Sequence, residues 1–304
     1  MAHGRTAVEG NEQPADQRGV VLDSHCHAWR LWPYPPLVPD EGTRGSIERL
    51  VYEMDVHGVE QAAVVCAGIE NNRDNVEYVS FAHDRYRGRI HILADLDCTW
   101  HDTYHTAGAA DRLRALADRY PLLGFTHYVA DDNDGWLASD EAEAVFAVAA
   151  ERDLLVSVAA SPAWQADLRV LASRHPTVPV LCHHLGGIST AAPAAAADLG
   201  LAEVLASAAC PNILIKVSGF HYASEQGWEY PWPRAVAAFR RIFDAYGAHR
   251  LCWGSDFPAS TRYCTYQQSF EVLRRHCDFL SAADRRTIYG EAFQYLIETR
   301  RPPS

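Results

Sequence analysis

Eight short apolar segments recur along this 304-residue chain, and segments with a helical pattern lie between most of them. Short segments rich in Val, Ile, Leu and Ala are typical of strands that are buried on both faces of a parallel sheet. The predicted strands are VVLDSH (20–25), QAAVVCA (61–67), RIHILADLD (89–97), LLGFTHY (122–128), DLLVSVAA (153–160), VPVLCHHL (178–185), ILIKVSG (213–219) and RLCWGSD (250–256). Strands that alternate with helices indicate a parallel α/β sheet, and eight is the number that closes a (β/α)8 TIM barrel.

Helix signals fill the segments between these strands. Ser139 precedes three acids in a first turn, and Gly58 and Gly247 follow the last turns of two other segments, which are typical helix boundaries. The predicted helices are 47–58, 74–88, 109–120, 139–153, 194–209 and 232–247. An open doubly wound sheet is disfavoured because no Gly-rich phosphate loop follows the first strand. The sequence therefore predicts one barrel over residues 20–304 and a flexible tail over residues 1–19.

Charge and cysteine usage restrict the partners. The net charge of -12 repels nucleic acid and anionic membrane surfaces, and no window of about 18 apolar residues predicts a membrane span. The eight cysteines form no CxxC pair, and the first residues lack the apolar segment of a secretory signal. These features predict a cytoplasmic enzyme with a small-molecule substrate. Acidic charge and aromatic loops are also compatible with a homodimer.

Polar side chains follow the apolar segments where barrel enzymes carry their chemistry, at the carboxyl ends of the strands. Asp23, His25 and His27 alternate, so period-two geometry predicts one shared face. Asp23 is interpreted either as a partner of a histidine or as a structural hydrogen-bonding group. Further polar residues at strand ends are His127, Ser157, His183, His184, Lys216, Ser218, His221 and Asp256.

Imidazoles with one carboxylate can act in two ways. They suit a single divalent metal ion, Zn²⁺ first, which activates a bound water. Without metal, the carboxylate takes a proton from water while the imidazoles polarise a carbonyl oxygen. The residues alone leave both alternatives open.

Three motifs resemble one known family. DSHCHAW, CHHLGG and WGSDFP are similar to the HxH, HxG and GSDxP motifs of the amidohydrolase-2 family of TIM barrels, and the likeness extends over nearly the whole chain from about residue 20. By this resemblance His25 and His27 match the histidine pair of strand 1. His184 matches the strand 6 histidine, and Asp256 matches the strand 8 carboxylate. The resemblance implies that these four residues are catalytic and are the candidate metal ligands.

Two departures from the family pattern narrow the function. The strand 5 stretch LLVSVAASP has no histidine, unlike family members that hold a single metal ion firmly, which include the decarboxylases. Lys216 is the only lysine, so the carboxylated lysine that bridges two metals in dinuclear relatives has no candidate, which disfavours a dinuclear centre. The pattern is closest to the lactonase branch, which includes fuconolactonase-like enzymes and 2-pyrone-4,6-dicarboxylate hydrolase and has metal-dependent and metal-independent members. The resemblance implies a hydrolase that opens a cyclic ester by Asp256-assisted attack of water. The alternatives are a metal-dependent, non-oxidative decarboxylase of an aromatic or unsaturated acid, and a non-catalytic barrel that binds a ligand or partner.

Candidate substrate contacts come from strand ends and aromatic loops. The loops AWRLWPYPP and EQGWEYPWPR should lie over the carboxyl ends of strands 1 and 7, where they wall an apolar pocket or only cap the barrel. Arg262 is a candidate to bind a substrate carboxylate. The predicted substrate-binding residues are Trp29, His127, Tyr128, His221, Trp232 and Arg262.

Overall fold

The computed structural model describes residues 19–300, so the predicted tail falls almost entirely outside the described residues. Eight strands form one sheet in sequence order, and each neighbouring pair is parallel. The strands are β1 (Leu22–Cys26), β2 (Gln61–Cys66), β3 (Ile90–Asp95), β4 (Leu122–Tyr128), β5 (Leu155–Ala159), β6 (Val180–Cys182), β7 (Ile213–Val217) and β8 (Leu251–Trp253). The predicted (β/α)8 barrel is confirmed.

Helices surround the sheet, and all six predicted helices are present with slightly different ends. The α-helices are α1 (Glu41–Arg44), α2 (Ile47–His57), α3 (Asn75–Arg85), α4 (Ala109–Arg119), α5 (Asp140–Glu151), α6 (Gln165–Arg174), α7 (Ala194–Ala206), α8 (Phe220–Ala223), α9 (Pro233–Tyr246), α10 (Tyr266–His276), α11 (Ala282–Arg286) and α12 (Ala292–Glu298). Ser139 accepts a hydrogen bond from the Ala142 amide, and Gly58 adopts the left-handed conformation that ends α2. Among residues 19–300, no helix is both long and apolar enough to cross a membrane.

Two apolar layers lie on the two sides of the sheet. The inner layer contains side chains from all eight strands, and it packs against Phe293, Leu296 and Ile297 of α12. The outer layer joins the other face of the strands to the surrounding helices. The apolar face of α12 therefore fills part of the barrel interior, while the polar strand ends are left for the opposite side.

The segment after β8 completes the barrel against β1. The Asp256 amide donates to the His25 carbonyl at 2.8 Å, and the His27 amide donates to the Phe257 carbonyl at 2.6 Å. Close backbone approach requires a glycine at position 254, because a Cβ there would lie 2.6 Å from His25 Cβ and 3.0 Å from His25 N. Barrel closure thus fixes Asp256 beside the histidine pair.

Gly254→Ala is expected to destabilise the protein by about 1–3 kcal/mol, because backbone atoms of β1 must move to admit the methyl group. Gly42→Ala is the matched control, since a Cβ at position 42 meets no atom within 4 Å. Urea unfolding of both variants checks the prediction. Equal free energies of unfolding for the two variants would contradict it.

Candidate active site at the carboxyl ends of the strands

The structure brings together the four side chains that the motifs single out. Asp256 Oδ1 lies 3.4 Å from His25 Nε2, 3.5 Å from His27 Nε2 and 3.9 Å from His184 Nε2. Asp256 is 1% exposed and His25 is fully buried. One carboxylate oxygen is thus surrounded by three imidazoles in a site from which bulk water is largely excluded. We call these four residues the histidine–aspartate cluster.

The end of β1 departs from strict alternation. Its pairing with β2 shifts register between Asp23 and Cys26. The Asp23 carboxylate accepts hydrogen bonds from the Ser255 amide at 2.9 Å and from the Tyr266 hydroxyl at 3.0 Å. Among residues 19–300 it forms no hydrogen bond or ion pair with a histidine ring. Burial raises the pKa of Asp23 to about 6. Of the two interpretations of Asp23, the structure favours the structural hydrogen-bonding group.

The end of β6 brings two neighbouring histidines to the same site. The strand stops at Cys182, and His184 and Leu185 have positive φ angles of 45° and 56°. Because of this turn, both rings approach His25, with centroid distances of 4.4 Å for His183 and 4.6 Å for His184. A strand that continued through residue 185 would point these neighbouring side chains to opposite faces, so the early end of β6 brings both rings to one site.

Outer hydrogen bonds orient the rings of the cluster. His27 Nδ1 lies 2.9 Å from the Val65 carbonyl, which only accepts, so the proton of the neutral ring is on Nδ1. Trp29 stacks on the same ring at 4.8 Å. His184 Nδ1 lies 3.0 Å from the Ser218 hydroxyl. Trp29 therefore packs behind His27, where it supports the ring.

Burial and the imidazoles act in opposite directions on Asp256. Burial favours the neutral acid, but the interactions with His184 and His25 outweigh it and hold the pKa of Asp256 well below its usual range. Burial lowers the pKa of His184 to about 4. Burial and, to a smaller extent, the positive charge of Lys216 hold the pKa of His25 well below its usual range. At neutral pH the site thus holds an ionised carboxylate beside two neutral imidazoles.

A second polar layer lies beneath the cluster, inside the barrel. Lys216 Nζ is 3.2 Å from His25 Nδ1 and 2.7 Å from the Ser157 hydroxyl, and that hydroxyl is 2.6 Å from His183 Nε2. Burial lowers the pKa of Lys216 to about 7. In the sequence, Lys216 and Ser157 stood out only as polar residues at strand ends, and neither was assigned a role. Their places on inward positions of β7 and β5 were the signal that connects them.

Aromatic and charged side chains surround the other side of Asp256. His221 Nε2 lies 3.7 Å from Asp256 Oδ2, and Tyr222 packs 4.9 Å from the His184 ring. The Arg262 guanidinium lies 4.1 Å above the ring of Tyr34. Trp232 is buried behind His221 with a centroid distance of 5.9 Å. His221 therefore lies beside Asp256, and Trp232 supports His221 from behind. Arg262 lies over Tyr34, and sequence reasoning missed Tyr222.

The two candidates of β4 point to opposite sides of the sheet. Tyr128 contacts the His183 ring at 5.1 Å, inside the barrel. His127 Nδ1 donates to the Leu96 carbonyl at 2.8 Å, and its ring packs against Trp136 at 4.8 Å, between the sheet and the outer helical layer. The structure therefore places Tyr128 near the cluster and does not bring His127 there.

His127 predicts a pH dependence of stability. Burial lowers its pKa to about 4, so between pH 6.5 and about pH 4 the unfolded imidazole binds a proton that the folded one does not. The free energy of unfolding should therefore decrease as the pH is lowered through this window, by up to about 1.4 kcal/mol per pH unit from this group. In urea unfolding at pH 5 and 7, His127→Gln should lose less stability than the wild type. Equal losses would contradict the prediction.

The donor set fits a divalent metal ion. Within residues 19–300, two groups have ligand atoms that all lie within 4.8 Å of one another: His25 with His183 and His184, and His25 with His27 and Asp256. His25 Nε2 and Asp256 Oδ2 are buried without a hydrogen-bond partner. Imidazole and carboxylate are the usual ligands of Zn²⁺ in catalytic sites.

The fold is an eight-stranded barrel, and its site combines imidazoles and one carboxylate at the ends of β1, β6 and β8. This combination is typical of a TIM-barrel hydrolase of the amidohydrolase type. The chain matches the family described as Amidohydrolase over residues 22–292, and it belongs to that family. It is therefore an enzyme of the hydrolase class.

Known relatives agree with this class. The L-fucono-1,5-lactonase of Burkholderia ambifaria is 25% identical over 296 residues, which cover 92% of this chain and 96% of that protein. An amidohydrolase of Burkholderia multivorans, solved with bound zinc, has a TM-score of 0.74 at 22% identity and covers 92% of this chain and 99% of its own. A probable 2-pyrone-4,6-dicarboxylic acid hydrolase of Acinetobacter baumannii, solved with citric acid, has a TM-score of 0.69 at 16% identity and covers the same shares. The two solved structures share the fold.

Proposed function

We propose that this enzyme hydrolyses a cyclic ester, and that a sugar lactone of the L-fucono-1,5-lactone type is the first substrate to test. The observation that carries the proposal is the single Asp256 oxygen within 3.9 Å of three imidazoles. The lactonase relative, matched over 92% of this chain, supports the choice of substrate. The full set of proposed catalytic residues is His25, His27, His184 and Asp256.

Asp256 acts as the general base. Because its pKa is held well below the usual range, the carboxylate is ionised at neutral pH and can accept a proton from water. The water oxygen bonds to the lactone carbonyl carbon while that proton moves to Asp256. Collapse of the tetrahedral intermediate breaks the ring C–O bond, and the proton held by Asp256 passes to the leaving alkoxide. The product is the open hydroxy acid.

The His25 and His184 rings stabilise the negative charge that develops on the carbonyl oxygen. Donors that are already oriented in a site of low polarity stabilise such charge far better than donors in water. His25 is fully buried and His184 is held by Ser218, so neither ring must reorganise during the reaction. His221, Tyr128 and Arg262 are proposed to contact the substrate around this centre.

The candidate ligands of a divalent ion are His25, His27, His184 and Asp256, and His25 could bind an ion only with a lone pair on Nε2. When bound, such an ion supplies a Lewis acid and lowers the pKa of water. Trp29 and Trp232 keep supporting roles in either case, since they pack behind His27 and His221.

The test is a panel of sugar lactones, pyrone lactones and aromatic carboxylic acids, with proton release and CO2 release measured in parallel in weak buffer. We expect proton release from at least one lactone and no CO2 from any acid. CO2 release without lactone hydrolysis would establish the decarboxylase alternative. A folded protein that turns over no member of the panel would favour a barrel that only binds a ligand.

A further inference from the structure

The only lysine of the chain lies in the middle of the barrel, directly beneath the histidine–aspartate cluster. Lys216 is 0% exposed, and among residues 19–300 no carboxylate oxygen forms an ion pair with its amine within 4.0 Å. Burying an amine without a counter-ion is costly, so its hydrogen bonds must compensate. Those bonds join His25 Nδ1 and the Ser157 hydroxyl.

The contact with Lys216 determines which nitrogen of His25 carries the ring proton. The ammonium form of Lys216 has three N–H groups and no lone pair, so its contact with Nδ1 requires a lone pair on that ring nitrogen. The ring proton of neutral His25 is then on Nε2, the atom 3.4 Å from Asp256 Oδ1. His27 is the opposite case, because its Nδ1 donates to the Val65 carbonyl. The two histidines of the HxH motif thus carry their protons on different nitrogens.

This difference decides how each ring can act. A metal-binding imidazole presents a lone pair to the ion and donates its other N–H to a carbonyl, carboxylate or water. His27 meets both conditions through Val65. His25 meets neither, since its Nδ1 faces an amine. Both donor groups that could hold an ion include His25, so each loses a ligand when His25 Nε2 is protonated.

Ser157 holds the amine in place from the other side. Its hydroxyl is 2.7 Å from Lys216 Nζ and 2.6 Å from His183 Nε2, and Ser157 is fully buried on β5. A histidine at the end of β5 would place a ring where this sequence has only small side chains. Lys216 and Ser157 together therefore hold the His25 ring from the barrel interior.

We infer that Lys216 is a positioning residue that keeps the ring proton of His25 on Nε2, so that His25 meets the substrate as a hydrogen-bond donor and does not bind a metal ion. What His25 does during turnover rests on the proposed lactone hydrolysis. The position of its proton is a property of the resting protein and is tested without substrate.

The first test is ¹⁵N NMR of the metal-free wild type labelled at histidine, with His25→Gln and His27→Gln used to assign the two rings. We expect His25 to be protonated on Nε2 and His27 on Nδ1. Protonation of His25 on Nδ1 would overturn the inference. Because this measurement uses the wild type, it decides the question even if a Lys216 variant does not fold.

The second test is calorimetric titration of metal-free proteins with Zn²⁺. Lys216→Met keeps an unbranched side chain but removes the amine, and we expect it to bind Zn²⁺ at least about 10-fold more tightly than the wild type. Leu214→Met is the matched control, because it places the same new side chain on another inward position of β7, away from His25, and its Zn²⁺ affinity should stay near that of the wild type. A folded Lys216→Met protein without tighter binding would overturn the inference. If His25 is protonated on Nε2 but the protein hydrolyses no lactone, only the proposed function is refuted.

Discussion

Asp256→Asn is expected to lower kcat for lactone hydrolysis by about 10²–10⁴-fold, because the amide cannot take a proton from water. Asparagine tolerates the left-handed backbone that Asp256 adopts, with φ of 54°, so the fold should persist. The measurement is steady-state kinetics on the best lactone of the panel, with thermal unfolding to verify the fold.

Asp97→Asn is the matched control for Asp256→Asn. Asp97 is also a buried carboxylate, but Arg112 binds both of its oxygens outside the histidine–aspartate cluster. This variant should lose stability and keep kcat within a few-fold of the wild type. Near-normal turnover by Asp256→Asn, or an equal loss in both variants, would refute the role of Asp256.

His27→Ala is expected to lower kcat by about 10²-fold, because the ring packs beside the Asp256 carboxylate and its loss lets the general base move out of position. His27 Nε2 lies 3.5 Å from Asp256 Oδ1, and Trp29 stacks on the His27 ring with a centroid distance of 4.8 Å. Single-turnover kinetics should show that the chemical step is slowed.

His127→Ala separates the chemistry of His27 from the cost of deleting a buried imidazole. Both rings are buried, and both donate from Nδ1 to a backbone carbonyl of a neighbouring strand. Both variants should lose stability, but only His27→Ala should lose turnover. Equal kcat values for the two variants would show that the HxH motif is structural here.

Much of the site could be predicted because barrel chemistry is located at strand ends. The alternating residues of β1, the LGG turn after His184 and the GSD segment after β8 all carry local signals in the sequence. The parallel sheet then places these three segments side by side, as the structure shows. The order and number of the strands followed from the same apolar segments.

Other features depend on contacts that no local pattern encodes. The early end of β6 turns His183 and His184 toward one centre, and a strand pattern could not place that end. The sequence did not show which of His127 and Tyr128 faces the barrel interior, because that depends on the register of β4, which pairs irregularly with β3 near Leu122. The contact between Lys216 and His25 joins residues 191 positions apart. Such pairs become visible only once the barrel is closed.

The most direct test of the central claim is hydrolysis of L-fucono-1,5-lactone and related lactones in H2¹⁸O, followed by mass spectrometry of the product acid at short times. If water attacks the carbonyl carbon as proposed, one ¹⁸O atom enters the new carboxylate at a rate that the wild type accelerates and Asp256→Asn does not. Label in the ring-derived hydroxyl, or no enzyme-dependent incorporation with any lactone, would contradict the account.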